Sequence, residues 1–158
     1  MIILGIDPGT AIVGYAIISF KNNELTALDY GCIKTSKEEV FPKRLSQIYH
    51  GIETLIKKNK PDQMAIESLY FAKNVKTAMK VSEARGVAIL AAAENKIKVV
   101  EFTPLQVKQA LTGYGRASKS QIQQMVKVIF KLKTIPRPDD VADALAIALT
   151  CFQTKKFY

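Results

Sequence analysis

Three strand-like segments are crowded into the first 33 residues, and this constrains the fold more than any other feature of the chain. Ile2–Asp7 is a short apolar run closed by Asp7-Pro8-Gly9, the pattern of a buried strand and its turn. Residues 14–20 and 25–33 follow, joined by the polar turn Lys21-Asn22-Asn23-Glu24. A parallel connection needs a dozen or more residues, and none of these gaps supplies them. The three segments are therefore predicted to form an antiparallel meander.

Downstream, the apolar period lengthens from that of a strand to that of a helix. Phe41, Leu45, Ile48, Tyr49, Ile52, Leu55 and Ile56 form one continuous stripe, so a helix is predicted there, ending in Lys57-Lys58-Asn59-Lys60-Pro61. Gln63–Glu67 reads as a fourth strand, apolar until its final carboxylate. Residues 75–95 read as a long helix with an Ala-rich second half, and Lys98–Phe102 as a fifth strand. Gly86 costs that helix roughly 1 kcal/mol relative to Ala, for which close packing is the expected reason. Thr103-Pro104 is an N-cap with Pro at the first helical position, opening a helix to about Leu111. Ser118 and Gln121 form a capping box ahead of Ile122, Met125, Val126 and Ile129. The last helix opens at Asp139 and runs to about Phe152. A right-handed crossover from the meander sets the fourth strand parallel to the first. The expected fold class is α/β: a mixed five-stranded β-sheet, a three-strand antiparallel meander plus two parallel strands, flanked by α-helices. With no linker or repeat in 158 residues, a single domain over 1–158 is expected.

Composition removes several function classes. The longest apolar run, residues 87–93, is seven long, against the roughly 20 needed to span a bilayer. The opening MIILGID lacks a basic leader, and a soluble, cytoplasmic protein with no membrane partner is expected. Cys32 and Cys151 have neither Cys-x-x-Cys nor Cys/His spacing, and His50, the single histidine, lies inside an amphipathic helical stretch with a surface or packing role, so zinc sites and His-dependent nucleophiles have no obvious players. Charge is more informative. The net +9 arises from one basic against three acidic residues in 1–30, ten against five in 31–80, and twelve against six in 81–158. Such an excess suits a polyanionic partner, although a merely lysine-rich surface has the same composition.

Four carboxylates stand out by position. Asp7 ends the first strand and Glu67 the fourth, so pairing of those strands sets both at one carboxyl edge, where ligands of open α/β sheets bind. Asp140 and Asp143 are three apart in the first turn of the last helix and share a face. Asp143 interrupts Val141-Ala142-Asp143-Ala144-Leu145-Ala146, where an unpaired buried carboxylate is costly. Each has a plain structural alternative: Asp7 capping a turn, Glu67 pairing with a lysine, Asp139 and Asp140 capping the helix. Taken together, carboxylates without His or Cys prefer a hard cation such as Mg²⁺ or Mn²⁺, and in a basic protein they suggest two-metal phosphodiester hydrolysis. The segment 113–120 has P-loop spacing, but Ser118 stands where the second glycine belongs and is better explained as a cap. Asp7-Pro8-Gly9-Thr10 also resembles the phosphate turn of actin-like ATPases, which need a second domain that this length does not hold.

The motifs in combination are more specific. Gly5-Ile6-Asp7-Pro8-Gly9-Thr10, Ala65-Ile66-Glu67, Ala72-Lys73-Asn74, Glu83-Ala84-Arg85-Gly86, Gln106-Val107-Lys108-Gln109, Lys119-Ser120-Gln121 and Asp140-Val141-Ala142-Asp143 occur in order along nearly the whole chain. This set resembles the RuvC family of bacterial Holliday-junction resolvases, of the ribonuclease-H-like superfamily. The resemblance implies a ribonuclease-H-like fold and a homodimeric, magnesium-dependent endonuclease. Such an enzyme nicks two opposed strands of four-way junction DNA and works beside the RuvA and RuvB branch-migration complex. By the same resemblance, Asp7, Glu67, Asp140 and Asp143 match the family's metal-binding positions. Some relatives carry His at the third of these; Asp140 makes the expected site all-oxygen, holding two Mg²⁺ ions that Mn²⁺ can replace.

Lys108 and Lys119 match basic residues beside the DNA backbone, with Lys119 offsetting charge on the phosphoryl oxygens during cleavage. Tyr70 falls where relatives often have a Phe that stacks on a base at the junction centre. Lys73, Arg85, Arg116 and Arg137 are further candidates for phosphate contacts. The Ala- and Gly-bearing half of the 75–95 helix is a candidate dimer contact, with core packing as the competing explanation. Two other functions stay open on sequence alone: a ribonuclease-H-like nuclease for ribosomal RNA precursors, and a junction-binding protein that never cleaves.

Overall fold

Asn22 and Asn23, at φ of 53° and 62°, make the two-residue turn that folds the start of the chain back on itself. Positive φ at both central residues gives the twist that flanking antiparallel strands require. In the computed structural model, which describes residues 1–68 and 75–156, the meander is β1 (Ile2–Asp7), β2 (Ile12–Lys21) and β3 (Glu24–Lys34). β2 and β3 are longer than predicted because the turn is confined to the two asparagines, leaving Lys21 and Glu24 paired in the ladder. Helix α1 (Phe41–Asn59) leads to β4 (Gln63–Glu67), and α2 (Val75–Glu94) precedes β5 (Lys98–Phe102). α3 (Pro104–Thr112), α4 (Lys119–Ile129) and α5 (Asp139–Lys156) complete the chain order. The sheet order is β3-β2-β1-β4-β5, antiparallel within the meander and parallel from β1 to β4 to β5, as expected.

Alternation along the strands divides the interior in two. Leu4, Ile6, Ile17, Met64 and Ile66 face α1 and α2, where they meet Ile48, Ile52, Ala84, Ala88, Ala91 and Ala92. Ile3, Ala16 and Ala65 face the other way, onto Leu145, Ile147 and Leu149 of α5. Val107 and Leu111 of α3 and Ile122 and Val126 of α4 belong to this second core. Because α3 and α4 cover it from outside, α5 is buried on nearly every side as far as Cys151, which explains its lack of a polar face; it runs on to Lys156, beyond the predicted end.

Two glycines let α5 lie close against the sheet. A Cβ on Gly5 would come 2.3 Å from the carbonyl oxygen of Ala144, and one on Gly14 would come 2.0 Å from that of Asp140. Both glycines sit inside strands, where the missing side chain marks a close backbone approach. Gly86 behaves differently and corrects the sequence expectation. A Cβ there meets nothing within 4 Å, so packing inside the chain does not explain it. The alanines of α2 do pack in the core, while Gly86 and the half-exposed Met79 and Leu90 lie on the outer side. Among the described residues, no helix is long and apolar enough to cross a membrane.

Gly14→Ala is expected to cost about 1–3 kcal/mol or more, as overpacking against rigid backbone does, read as a lowered urea midpoint. An unchanged midpoint would contradict the close approach of α5.

Candidate active site

The parallel register of β1 and β4 ends on the pair Ile6 and Ile66, so Asp7 and Glu67 come next, side by side at the carboxyl edge. Alternation turns both toward α5, on the face of Ile3, Gly5 and Ala65. The first turns of α5 approach the same edge over Gly14 and carry Asp139, Asp140 and Asp143. Two capping boxes bring in the cations. Thr103 and Gln106 bond reciprocally at the start of α3, setting Lys108 on its second turn. Ser118 and Gln121 do the same for α4, whose first residue is Lys119. A cleft of about 230 Å³ opens between these elements, lined by Glu67, Lys108, Lys119 and Asp143 over an apolar floor that includes Val107, Ile122 and Ile147.

The electrostatics are those of negative charge held together against its own repulsion. Burial, then the charges of Asp143, Glu67 and Asp140, push the Asp7 carboxyl up to about 8, with Lys119 opposing. Burial and Asp143 also raise Glu67, against the pull of Lys119 and Lys108. Asp143 is raised by burial despite its ion pair with Lys119, whose Nζ lies 3.0 Å from Asp143 and 3.6 Å from Asp139. Burial alone would lower Lys119, but its bond to Asp143 and the charges of Asp143 and Asp139 hold it above the usual lysine range. Over half of the Lys119 side chain is exposed, so the pair contributes charge balance more than stability.

The donor set fits a hard cation, being all oxygen, with more carboxyl groups than Lys108 and Lys119 can pair. Among the described residues, no three acidic, His or Cys side chains are arranged to enclose a metal ion as they stand. The sequence-predicted Asp7, Glu67, Asp140, Asp143, Lys108 and Lys119 converge on this edge. Arg116 is exposed in the connection between α3 and α4. Tyr70 and Lys73 lie outside the described residues. Arg137 is exposed and pairs with Asp139 at the start of α5, whereas Arg85 is turned inward onto the Glu67 main chain and Glu101. Sequence reading missed Gly5 and Gly14 as determinants of the site, although glycines within apolar strands signal close approach. Asp139, expected only to cap, also faces Lys119.

A family model described as crossover junction endodeoxyribonuclease RuvC matches residues 3–151, a span that includes every carboxylate of the cleft. The chain belongs to the RuvC family. The RuvC of Alkaliphilus metalliredigens is 56% identical over 149 residues, covering 94% of this chain and 91% of that relative. The structure of Thermus thermophilus RuvC superposes with a TM-score of 0.92 at 34% identity, covering 99% of this chain and 96% of the other. The structure of T. thermophilus RuvC in complex with a Holliday junction substrate gives 0.91 at 32% identity over the same shares. The RuvC fold is thus shared over nearly the whole length of both chains.

The raised Asp7 has a consequence for stability. Between the ordinary 3.8 and about 8, the unfolded chain has lost a proton that the folded chain keeps, so stability falls as pH rises across that window. In EDTA, thermal unfolding is expected to show wild type losing stability relative to Asp7→Asn from about pH 5 to about pH 8. A pH-independent difference between the two would contradict the shift.

Proposed function

We propose that this chain is a magnesium-dependent endodeoxyribonuclease that resolves four-way DNA junctions, acting as a single nuclease domain over residues 1–158. The observation that carries the reading is the convergence of Asp7, Glu67, Asp140 and Asp143 with Lys108 and Lys119 on one sheet edge, in a member of the RuvC family. Those carboxylates would hold two Mg²⁺ ions, with Mn²⁺ able to replace them. When bound, such ions supply an activated water and offset charge on the leaving 3′-oxygen. Asp7 gives up its proton on binding them, because at pH 7 ionising a group of pKa about 8 costs only about 1.4 kcal/mol. Lys119, carried at the start of a capped helix, offsets negative charge on the phosphoryl oxygens. Lys73, Lys108 and Arg116 contact neighbouring phosphates, while Tyr70, by the family resemblance, stacks on a base at the junction centre. Together with a net charge of +9 this makes junction binding steeply dependent on salt.

Two symmetric cuts need two equivalent sites, which a two-fold homodimer supplies. The outer side of α2 supports this arrangement: Met79, Gly86 and Leu90 are spaced by seven and four residues on one exposed side, with Ser82 and Glu83 between the first two and no side chain at Gly86. In the cytoplasm, RuvA and RuvB are the partners that deliver the junction.

The deciding assay is cleavage of a synthetic mobile four-way junction with Mg²⁺ or EDTA, with duplex DNA and structured RNA as controls. Paired metal-dependent nicks in the junction alone are expected, lost in Asp7→Asn while junction binding persists. Lys119→Ala is expected to lower kcat by about 10²–10³-fold with smaller loss of binding. Cleavage of RNA but not of the junction, or junction binding without any cut, would overturn the reading. Leu90→Glu is expected to give a monomer in light scattering and unpaired nicks; a dimer that still cuts in pairs would move the contact off α2.

A further inference from the structure

We infer that Arg85 is a positioning residue for the active site, holding the end of β4 from the far side of the sheet and so setting where the Glu67 carboxylate stands. Its side chain is 16% exposed, which leaves little surface for a phosphate. Arg85 Nε donates to the main-chain carbonyl of Glu67 at 3.1 Å, and its guanidinium pairs with Glu101 of β5.

The two faces of the sheet separate Arg85 from the cleft. Glu67 follows Ala65 in alternation and turns its carboxylate toward α5. Glu101 lies between Val100 and Phe102, both packed on the α5 side, and so faces α2. Arg85 therefore reaches the Glu67 main chain from behind, while the side chain works in front. The neighbouring residue is tied as well: Ser68 N–H donates to the carbonyl of Phe102 at 2.8 Å, and its hydroxyl to the same oxygen at 3.2 Å.

A strand end that carries a half-buried carboxylate beside Asp7 and Asp143 bears repulsion from like charge whenever they ionise. Arg85 opposes outward displacement with a planar fork that takes the carbonyl and the Glu101 carboxylate at once, and a lysine cannot span both. The inference rests on the reading above, in that the Glu67 carboxylate serves a divalent cation.

Arg85→Lys and Glu101→Gln test it, each checked for a cooperative thermal transition. The measurements are Mg²⁺ binding to the DNA-free protein by calorimetry, junction affinity in EDTA across salt concentrations, and the Mg²⁺ dependence of cleavage. Arg85→Lys is expected to weaken Mg²⁺ binding and raise the half-saturating Mg²⁺ by about 10-fold, the scale on which groups supporting a metal ligand act. Junction affinity and its salt slope stay within about twofold of wild type. Glu101→Gln, on a half-exposed side chain, shifts Mg²⁺ binding in the same direction by a smaller factor.

A lowered melting temperature with unchanged Mg²⁺ binding would reduce Arg85 to a structural role and overturn the inference. A weakened junction affinity with a shallower salt slope would make it a phosphate contact and overturn it equally. If Arg85→Lys does not fold, unchanged Mg²⁺ binding in Glu101→Gln overturns it. Should wild type bind Mg²⁺ yet leave the junction uncut, the functional reading fails and the variants' Mg²⁺ affinities still decide the role of Arg85. If wild type binds no Mg²⁺, both fall.

Discussion

Helix α5 lies so close to β1 and β2 that two strand positions have no room for a Cβ, and the rest of the site depends on that contact. Gly14 lies under the carbonyl of Asp140 and Gly5 under that of Ala144, which brings the acidic first turns of α5 onto the strand edge that carries Asp7 and Glu67. The apolar remainder of α5, clasped by α3 and α4, supplies the adhesion. Burial of Leu145, Ile147 and Leu149 is worth on the order of 1.5–3 kcal/mol for each side chain. That gain offsets the cost of crowding like charges at the helix start.

The crowding has a chemical use. Asp7 is driven toward its neutral form by burial and by three neighbouring carboxylates, so part of the cluster's negative charge is relieved by a held proton and not by an ion pair. Lys119 and Lys108 answer only part of it, since Glu67 and Asp143 remain raised despite them. A protein selected for stability alone would replace such a cluster with apolar side chains. Its presence in a basic chain sets acidic and basic side chains side by side in one cleft.

The sheet carries load from both sides. On the α5 face stand the carboxylates; on the α2 face Arg85 ties the end of β4 to β5. α2 itself is divided along its length, with Ala84, Ala88, Ala91 and Ala92 directed into the core and Met79, Gly86 and Leu90 directed out. One helix thereby closes a core on one side and steadies the sheet edge beside it.

The local order of elements was legible in the sequence because short-range chemistry decides it. The meander follows from connection length, α3 and α4 from their capping boxes, and α1 from its apolar stripe. The acidic ends of β1 and β4 were visible too, as carboxylates that break apolar runs, and the motif set identified their company. What the sequence did not reveal were contacts between distant segments. Gly86 looked like a packing position and is open, while Gly5 and Gly14 looked unremarkable and set the approach of α5. Arg85 counted as one basic residue among many, until the sheet brought it behind Glu67. Side-chain type and local spacing dictate which element forms; which face each residue meets, and how close two backbones come, depends on packing that only the folded chain defines.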